Sequence, residues 1–303
     1  MLLFIESYNQ MKRVLVAVSS ILIAFSAGAV CVRTGSDVID MANIECRPGF
    51  QLQEIPKTPV EGLQEIPVLM YHQFTSNKEL GNEVITPSRF REQVAFLKME
   101  GYTTINMHEL TEFMLGKIQL PEKTIAITID DGWRSSLEAA RILLDFNSTA
   151  TFYIITNSFD DPQYLDRGEV GMLSRTANFE IGAHSHTHFM EWINSLSRID
   201  LEIMNYEVSL SKSSIEQVIG KPVTSFSWPF GVYKDASIKY AENLGITSTV
   251  MVNNESRNSI GMSPLQVHRI NIDGRCTISD FQKMLQTKKV KVCNDEDDKK
   301  IPR

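Results

Sequence analysis

Three shortages narrow what this chain can be. It has no surplus of positive charge: 30 Lys and Arg stand against 37 Asp and Glu, for a net charge of −7. That excludes a global basic footprint for nucleic acid or anionic lipid, so no nucleic-acid partner is expected. It has no long apolar run. The conspicuous one, Val14 to Phe25, falls short of the roughly 20 residues that span a bilayer. It has few cysteines: Cys31, Cys46, Cys276 and Cys293. None lies near the motifs below, which argues against thiolate metal ligation. The local pairings Cys31–Cys46 and Cys276–Cys293 are one of three connectivities, and they suit an oxidising compartment. Histidine is also scarce, with six in the chain, yet three of them fall within five residues.

The N-terminus reads as an export segment. Lys12-Arg13 precede the apolar run, and Ser26-Ala27-Gly28-Ala29 follows with the small residues that signal peptidase accepts. Residues 1–29 are expected to be a signal peptide or an uncleaved signal anchor. The protein is then periplasmic, cell-surface or secreted. Residues 30–65, punctuated by Pro48, Pro56 and Pro59, read as a linker or arm. The folded domain is expected over 66–287, and residues 288–303 form a charged tail.

Two stretches carry the chemistry. Thr124 to Ile129 is a β-branched apolar run that predicts a buried strand, and Asp130-Asp131-Gly132 closes it. The C-terminal ends of strands are where α/β folds place their sites, although Asp-Gly is also an ordinary turn. The second stretch, Ile181-Gly182-Ala183-His184-Ser185-His186-Thr187-His188, follows another short apolar segment. Clustered histidines are more often metal ligands than structural residues. If a helical turn begins after Ala183, His184 and His188 share a face at i and i+4. A carboxylate and two imidazoles then leave a tetrahedral ion one open position, the catalytic pattern. A His184/His186/His188 cluster is the rival ligand set. Strand and helix signals alternate about seven times from Ile66 to Gln286, which predicts an α/β barrel, irregular or incomplete. Its last strand is expected over Leu265–Ile272, with Val267, Arg269 and Asn271 on one side.

The Asp-Asp-Gly and His-Ser-x-x-His stretches, in this order, resemble the NodB-homology polysaccharide deacetylases (carbohydrate esterase family four). The resemblance covers about Ile66 to Ile272 and implies a distorted (β/α)7 barrel. It implies Asp131, His184 and His188 as ligands of a divalent metal, zinc above others, and Asp130 as the base. Val68-Leu69-Met70-Tyr71-His72 is typical of the biofilm exopolysaccharide branch and implies His72 as general acid. Trp228-Pro229-Phe230-Gly231 resembles the third family motif, but Ser227 replaces its arginine. Arg269 resembles a late-strand arginine that could pair with Asp130 instead. Trp228, Pro229, Phe230 and Tyr71 are the expected substrate contacts; the same aromatic–proline run reads equally as packing. The activity implied is removal of N-acetyl groups from an N-acetylglucosamine polysaccharide. Alternatives are O-deacetylation of an acetylated polysaccharide and an inactive polysaccharide-binding protein.

Overall fold

The computed structural model describes residues 64–81, 83–189, 201–252 and 257–287, together with four backbone strands nearer the N-terminus. The chain divides into two compact units, Met1–Val60 and Glu61–Arg303. In the first, Leu15–Val18, Ile21–Ser26, Ala29–Thr34 and Gln51–Glu54 pair antiparallel in chain order. The signal segment, the arm and the charged tail otherwise lie outside the described residues. Among those described, no helix is long and apolar enough to cross a membrane. Cys276 is disulfide-bonded.

The second unit is an α/β barrel. Its strands are β1 (Val68–Tyr71), β2 (Thr103–Ile105), β3 (Thr124–Ile129), β4 (Ala150–Ile154), β5 (Phe179–Ala183), β6 (Ser225–Ser227), β7 (Ser248–Val250) and β8 (Ile270–Asn271). All pair in parallel, in the order β7-β6-β5-β4-β3-β1-β8. β3 has divided partners along one edge: Thr124–Ala126 pair with β2, and Thr128–Ile129 pair with β4. The expected last strand is cut short. Pro264–Gln266 is a 3-10 turn, and only Ile270–Asn271 remains a strand. Pro264 lacks the N–H a ladder needs. Val267 nevertheless bridges Val250 while β8 pairs with β1, so this segment links the two ends of the curled sheet.

Side-chain alternation along the strands separates two faces. Leu69, Tyr71, Ile125, Ile127, Ile129, Phe179, Ile181 and Ala183 point outward. They pack on helices α1 (Pro87–Met99), α3 (Ser136–Asp145), α4 (Arg167–Arg175) and α5 (Leu210–Ile219) through Phe90, Val94, Leu143, Val170 and Ile215. The other face holds Val68, Ala126, Tyr153, Val250 and Val267, closed by Leu110, Phe113 and Met114 of α2 (Met107–Met114). Above this apolar layer the inward positions turn polar: Thr128, Asp130, His184, Ser227 and Arg269, all buried.

The helices begin where the side chains dictate. Thr86 caps α1 by accepting from Arg89 N–H, with Pro87 at the first helical position. Capping boxes at Asn106/Glu109 and Asp166/Glu169 start α2 and α4. The last two helices are α6 (Asp235–Asn243) and α7 (Ile278–Thr287).

Gly182, two residues before the inward His184, lies against the Tyr153 ring. A Cβ there would sit 2.4 Å from Tyr153 Cε1 and 3.1 Å from the Ser225 carbonyl oxygen. Gly182→Ala is therefore expected to lose about 1–3 kcal/mol to overpacking, measured by urea unfolding; an unchanged midpoint would show that β4 and β5 separate freely here.

Candidate metal centre and its polar surround

Period two along β3 turns Asp130 inward, and the backbone then reverses. Asp131 and Gly132 both adopt positive φ, 71° and 72°. That turn brings the Asp131 carboxylate back over the barrel mouth. Its Oδ2 accepts from Trp133 Nε1 at 3.0 Å. Its Oδ1 is left facing His184 Nε2 at 3.3 Å and His188 Nε2 at 3.9 Å.

The two histidines do not converge through a helix. Ser185 and His188 have φ of 62° and 54°, so the segment after β5 is a tight loop. The His188 N–H donates to Ser185 Oγ at 3.0 Å, which folds it. The His184 and His188 ring centroids end 4.7 Å apart. His186 points elsewhere: its Nδ1 bonds Thr156 Oγ1 at 2.8 Å and its ring packs edge-on against Tyr206. It takes no part in the cluster.

The donor set fits a divalent ion. One ligand atom each from Asp131, His184 and His188 lies within 4.8 Å of the others. The Nδ1–H of His184 donates to the Ser227 carbonyl at 2.9 Å, which orients the ring with Nε2 toward Asp131 as the atom left to ligate once its proton is displaced. Burial and the positive charge of His184 hold His188 down to about 4, so it is neutral near pH 7, the form a metal requires.

Asp130 sits beside this cluster and belongs to a different network. Its Oδ1 accepts from Arg269 Nη1 at 2.7 Å, and its Oδ2 accepts from Arg269 Nη2 at 2.8 Å and from Ser227 Oγ at 3.0 Å. Arg269 spends its remaining N–H groups on Thr128 Oγ1, Ser227 Oγ and the Met251 carbonyl. All five donors are used, and the side chain is only 1% exposed. Burial pushes the Asp130 carboxyl up, but the charges of Arg269 and His184 outweigh it and hold the group well below the usual carboxylate range. Ser227, where the family motif has arginine, thus donates to Asp130 while accepting from Arg269.

His72 follows β1 on the inward side. Its Nδ1 is buried with no hydrogen-bond partner among the described residues, and the ring is close enough for its charge to bear on both Asp130 and Asp131.

The expected substrate contacts need correction. Tyr71 is 2% exposed, packs on Phe74 and Phe90, and donates its OH to Gln93 Oε1 at 2.8 Å. Trp228 is 1% exposed, packed against Phe226 and Tyr233, and Pro229 is buried. Tyr71 at the end of β1 and Trp228 just after β6 both point outward, so their rings serve the helix layer and offer no face to a sugar. Phe230 alone of the four is open, at 41% exposure, with its ring 4.6 Å from that of His188. It holds a left-handed backbone (φ 57°), strained for an aromatic residue. Trp133, a partner of Asp131, opens the run to Phe146 whose apolar spacing predicts a helix. The helix begins at Ser136 instead, and Trp133 stacks on Tyr164 at 4.2 Å.

Removing the guanidinium leaves Asp130 charged and unpaired in the barrel. Arg269→Met is expected to cost about 3–5 kcal/mol of stability, and adding Asp130→Asn to recover about half of it, read by chemical denaturation of the cycle. Because the Asp130 pKa is depressed by folding, its contribution is complete above about pH 4 and lost as the solution is acidified below that. No recovery in the double variant would mean that Arg269 acts by packing alone.

Comparison with known proteins bears on the family and the fold. The family model described as polysaccharide deacetylase matches residues 117–249. YxkH of Bacillus subtilis, which its name assigns to the same group, is 26% identical over 183 residues, 60% of this chain and 62% of its own length. A poly-beta-1,6-N-acetyl-D-glucosamine N-deacetylase of Staphylococcus epidermidis is 21% identical over 181 residues, 57% of this chain and 62% of its own. The chain thus spans under two thirds of these relatives. The Streptococcus pyogenes deacetylase PplD, solved with acetate, superposes with a TM-score of 0.65 at 22% identity, over 75% of this chain and 99% of that one. With the fold, the two motifs and the family match in agreement, this chain carries a polysaccharide deacetylase domain of the NodB-homology kind.

Proposed function

We propose that the protein removes N-acetyl groups from an N-acetylglucosamine-containing polysaccharide, β-1,6-linked by first choice. One observation carries the reading: Asp131, His184 and His188 converge on a point beside which Asp130 is held by Arg269, with the His72 imidazole nearby. A divalent ion on the three ligands, zinc by their nitrogen-rich character, would supply Lewis acidity, lowering the pKa of water from about 15.7 to roughly 7 and polarising the acetyl carbonyl.

The chain's own residues move the protons. Arg269 and Ser227 keep Asp130 ionised and aimed, so it accepts the proton of the attacking water. A carboxylate so stabilised is a weak base and gives that proton up readily. As the C–N bond breaks and acetate forms, His72 protonates the departing amine, which could not leave as an anion. Phe230 stands beside His188 at the open rim and contacts the sugar. The Arg-less third motif and the Tyr71-His72 pair support the β-1,6 linkage, and the Staphylococcus epidermidis relative is named for that polymer. Work outside the cytoplasm is supported by the Lys12-to-Ala29 pattern and the Cys276 disulfide.

The test is acetate release by the purified protein from N-acetylglucosamine oligomers of different linkage. Chelator and Asp130→Asn are each expected to lower the rate at least about 100-fold, and His72→Ala by about 10²–10⁴. Release from acetylated xylan but from no N-acetylglucosamine oligomer would replace the amide substrate with an ester. His186→Ala is expected to keep stoichiometric zinc by atomic absorption; its loss would reassign the ligands.

A further inference from the structure

Between its two candidate ligands the histidine loop adopts a backbone that its sequence does not favour. Ser185 and His188 are both non-glycine residues at positive φ. Such positions cost of order 1–3 kcal/mol each and persist only where the surroundings enforce them. The surrounding constraint is specific. The Glu207 Oε2 accepts from the backbone N–H groups of His186 at 3.1 Å and Thr187 at 2.9 Å. Its Oε1 accepts from Thr187 Oγ1 at 2.6 Å. Ser211 Oγ donates to the Ser185 carbonyl at 2.8 Å. From the other side the N–H of Asn157 donates to the His186 carbonyl at 2.8 Å.

Glu207 is 1% exposed. Among the described residues it forms no ion pair with lysine or arginine, so the donors that stabilise its buried carboxylate belong to the histidine loop. Burying a carboxylate without a cation is costly unless hydrogen bonds satisfy it. It also sits in an unusual backbone. Asn205–Ser209 is a single π-helical stretch between Leu201–Met204 and α5. The extra residue of such a stretch shifts the register of the side chains on either side of it, and these insertions concentrate at functional sites. Here Glu207 and its neighbour Val208 are both buried, Val208 in the outer apolar layer and Glu207 beneath the loop.

We infer that Glu207 is a positioning residue of the metal centre, presetting the His184–His188 loop so that both imidazoles meet Asp131 before the ion arrives. This rests on the reading of those three residues as ligands. The carboxylate bonds the His186 and Thr187 N–H groups and Thr187 Oγ1, not the ligand atoms; it acts through the loop backbone. Removing it lets the strained positions relax and separates the two Nε2 atoms in the metal-free protein. The ion must then restore the loop geometry out of its own binding energy.

The experiment is zinc titration of the full chain by calorimetry, with the melting temperature measured with and without zinc. The proteins are wild type, Asp131→Ala, Glu207→Ala, Glu207→Gln and Thr187→Val. Glu207→Ala is expected to bind zinc about 10–100-fold more weakly and to show a smaller zinc-induced rise in Tm. Glu207→Gln keeps one acceptor for the two amides and is expected to recover most of the loss. Thr187→Val, which removes a single bond at the surface of the clamp, is expected to weaken zinc several-fold and covers the case in which Glu207→Ala does not fold. If the variants melt lower without zinc yet bind it as wild type does, Glu207 is a stability residue only and the inference falls. If wild type and Asp131→Ala bind zinc alike, the ligand reading itself fails, whatever Glu207 does.

Discussion

A guanidinium with all five N–H groups committed, buried at the centre of a barrel, sets the terms for everything above it. Arg269 bonds to Thr128 and Asp130 from the Asp-Asp-Gly strand, to Ser227 from the third motif, and to the carbonyl of Met251 just beyond β7. It thereby ties together segments far apart around the sheet, and keeps the inner layer above Ala126 and Val250 polar. Without it Asp130 would be an isolated buried charge, and the interior would favour its neutral form. With it, an ionised carboxylate stands beside a second one, Asp131, whose partners are imidazoles and an indole. Two adjacent residues of identical chemistry therefore have different environments, and the division of labour proposed for them rests on that difference.

The two chemical motifs were legible in the sequence because each is local and each follows a short apolar segment, the β-branched Thr124–Ile129 and the briefer Phe179–Ala183. The alternating order of elements was legible for the same reason, and it led to the barrel that the structure has. Alternation in Leu265–Ile272 also put Arg269 and Val267 on one face, as they are, even though Pro264 and the 3-10 turn leave only two residues of strand. The rest depended on tertiary context. That Tyr71 and Trp228 face the helices follows from the same period of two that turns His72 and Ser227 inward, whereas their place in the motifs suggests sugar contacts. His184 and His188 meet through left-handed positions at Ser185 and His188 in place of a helical turn, and no residue there is the glycine or asparagine that would announce one. Trp133 and Glu207 were silent because their partners lie across a turn or on a separate helix, and helical periodicity describes neither.

The family likeness sharpens a contrast. Where the common third motif supplies an arginine to the base from one side of the barrel, this chain has a serine there and an arginine arriving from the closing segment. The small Ser227 hydroxyl both donates to Asp130 and accepts from Arg269, so the substitution preserves a positively charged partner for the carboxylate while moving its origin in the chain. Motif matching by position alone would score this site as defective. The hydrogen bonds show a complete network built from other residues.

That relocation has a consequence for the order in which the molecule can be made. Asp130 and Arg269 are separated by 139 positions, and the segment carrying the arginine is also the one that joins the two ends of the sheet. A chain emerging from the ribosome exposes the Asp-Asp-Gly strand, both histidines and the serine long before the counter-ion exists. Contacts so distant in sequence form slowly. The site is thus the last part of the barrel to gain its counter-ion, and a chain cut between Gly231 and Arg269 retains every recognisable motif while losing the interaction that lets them share one interior.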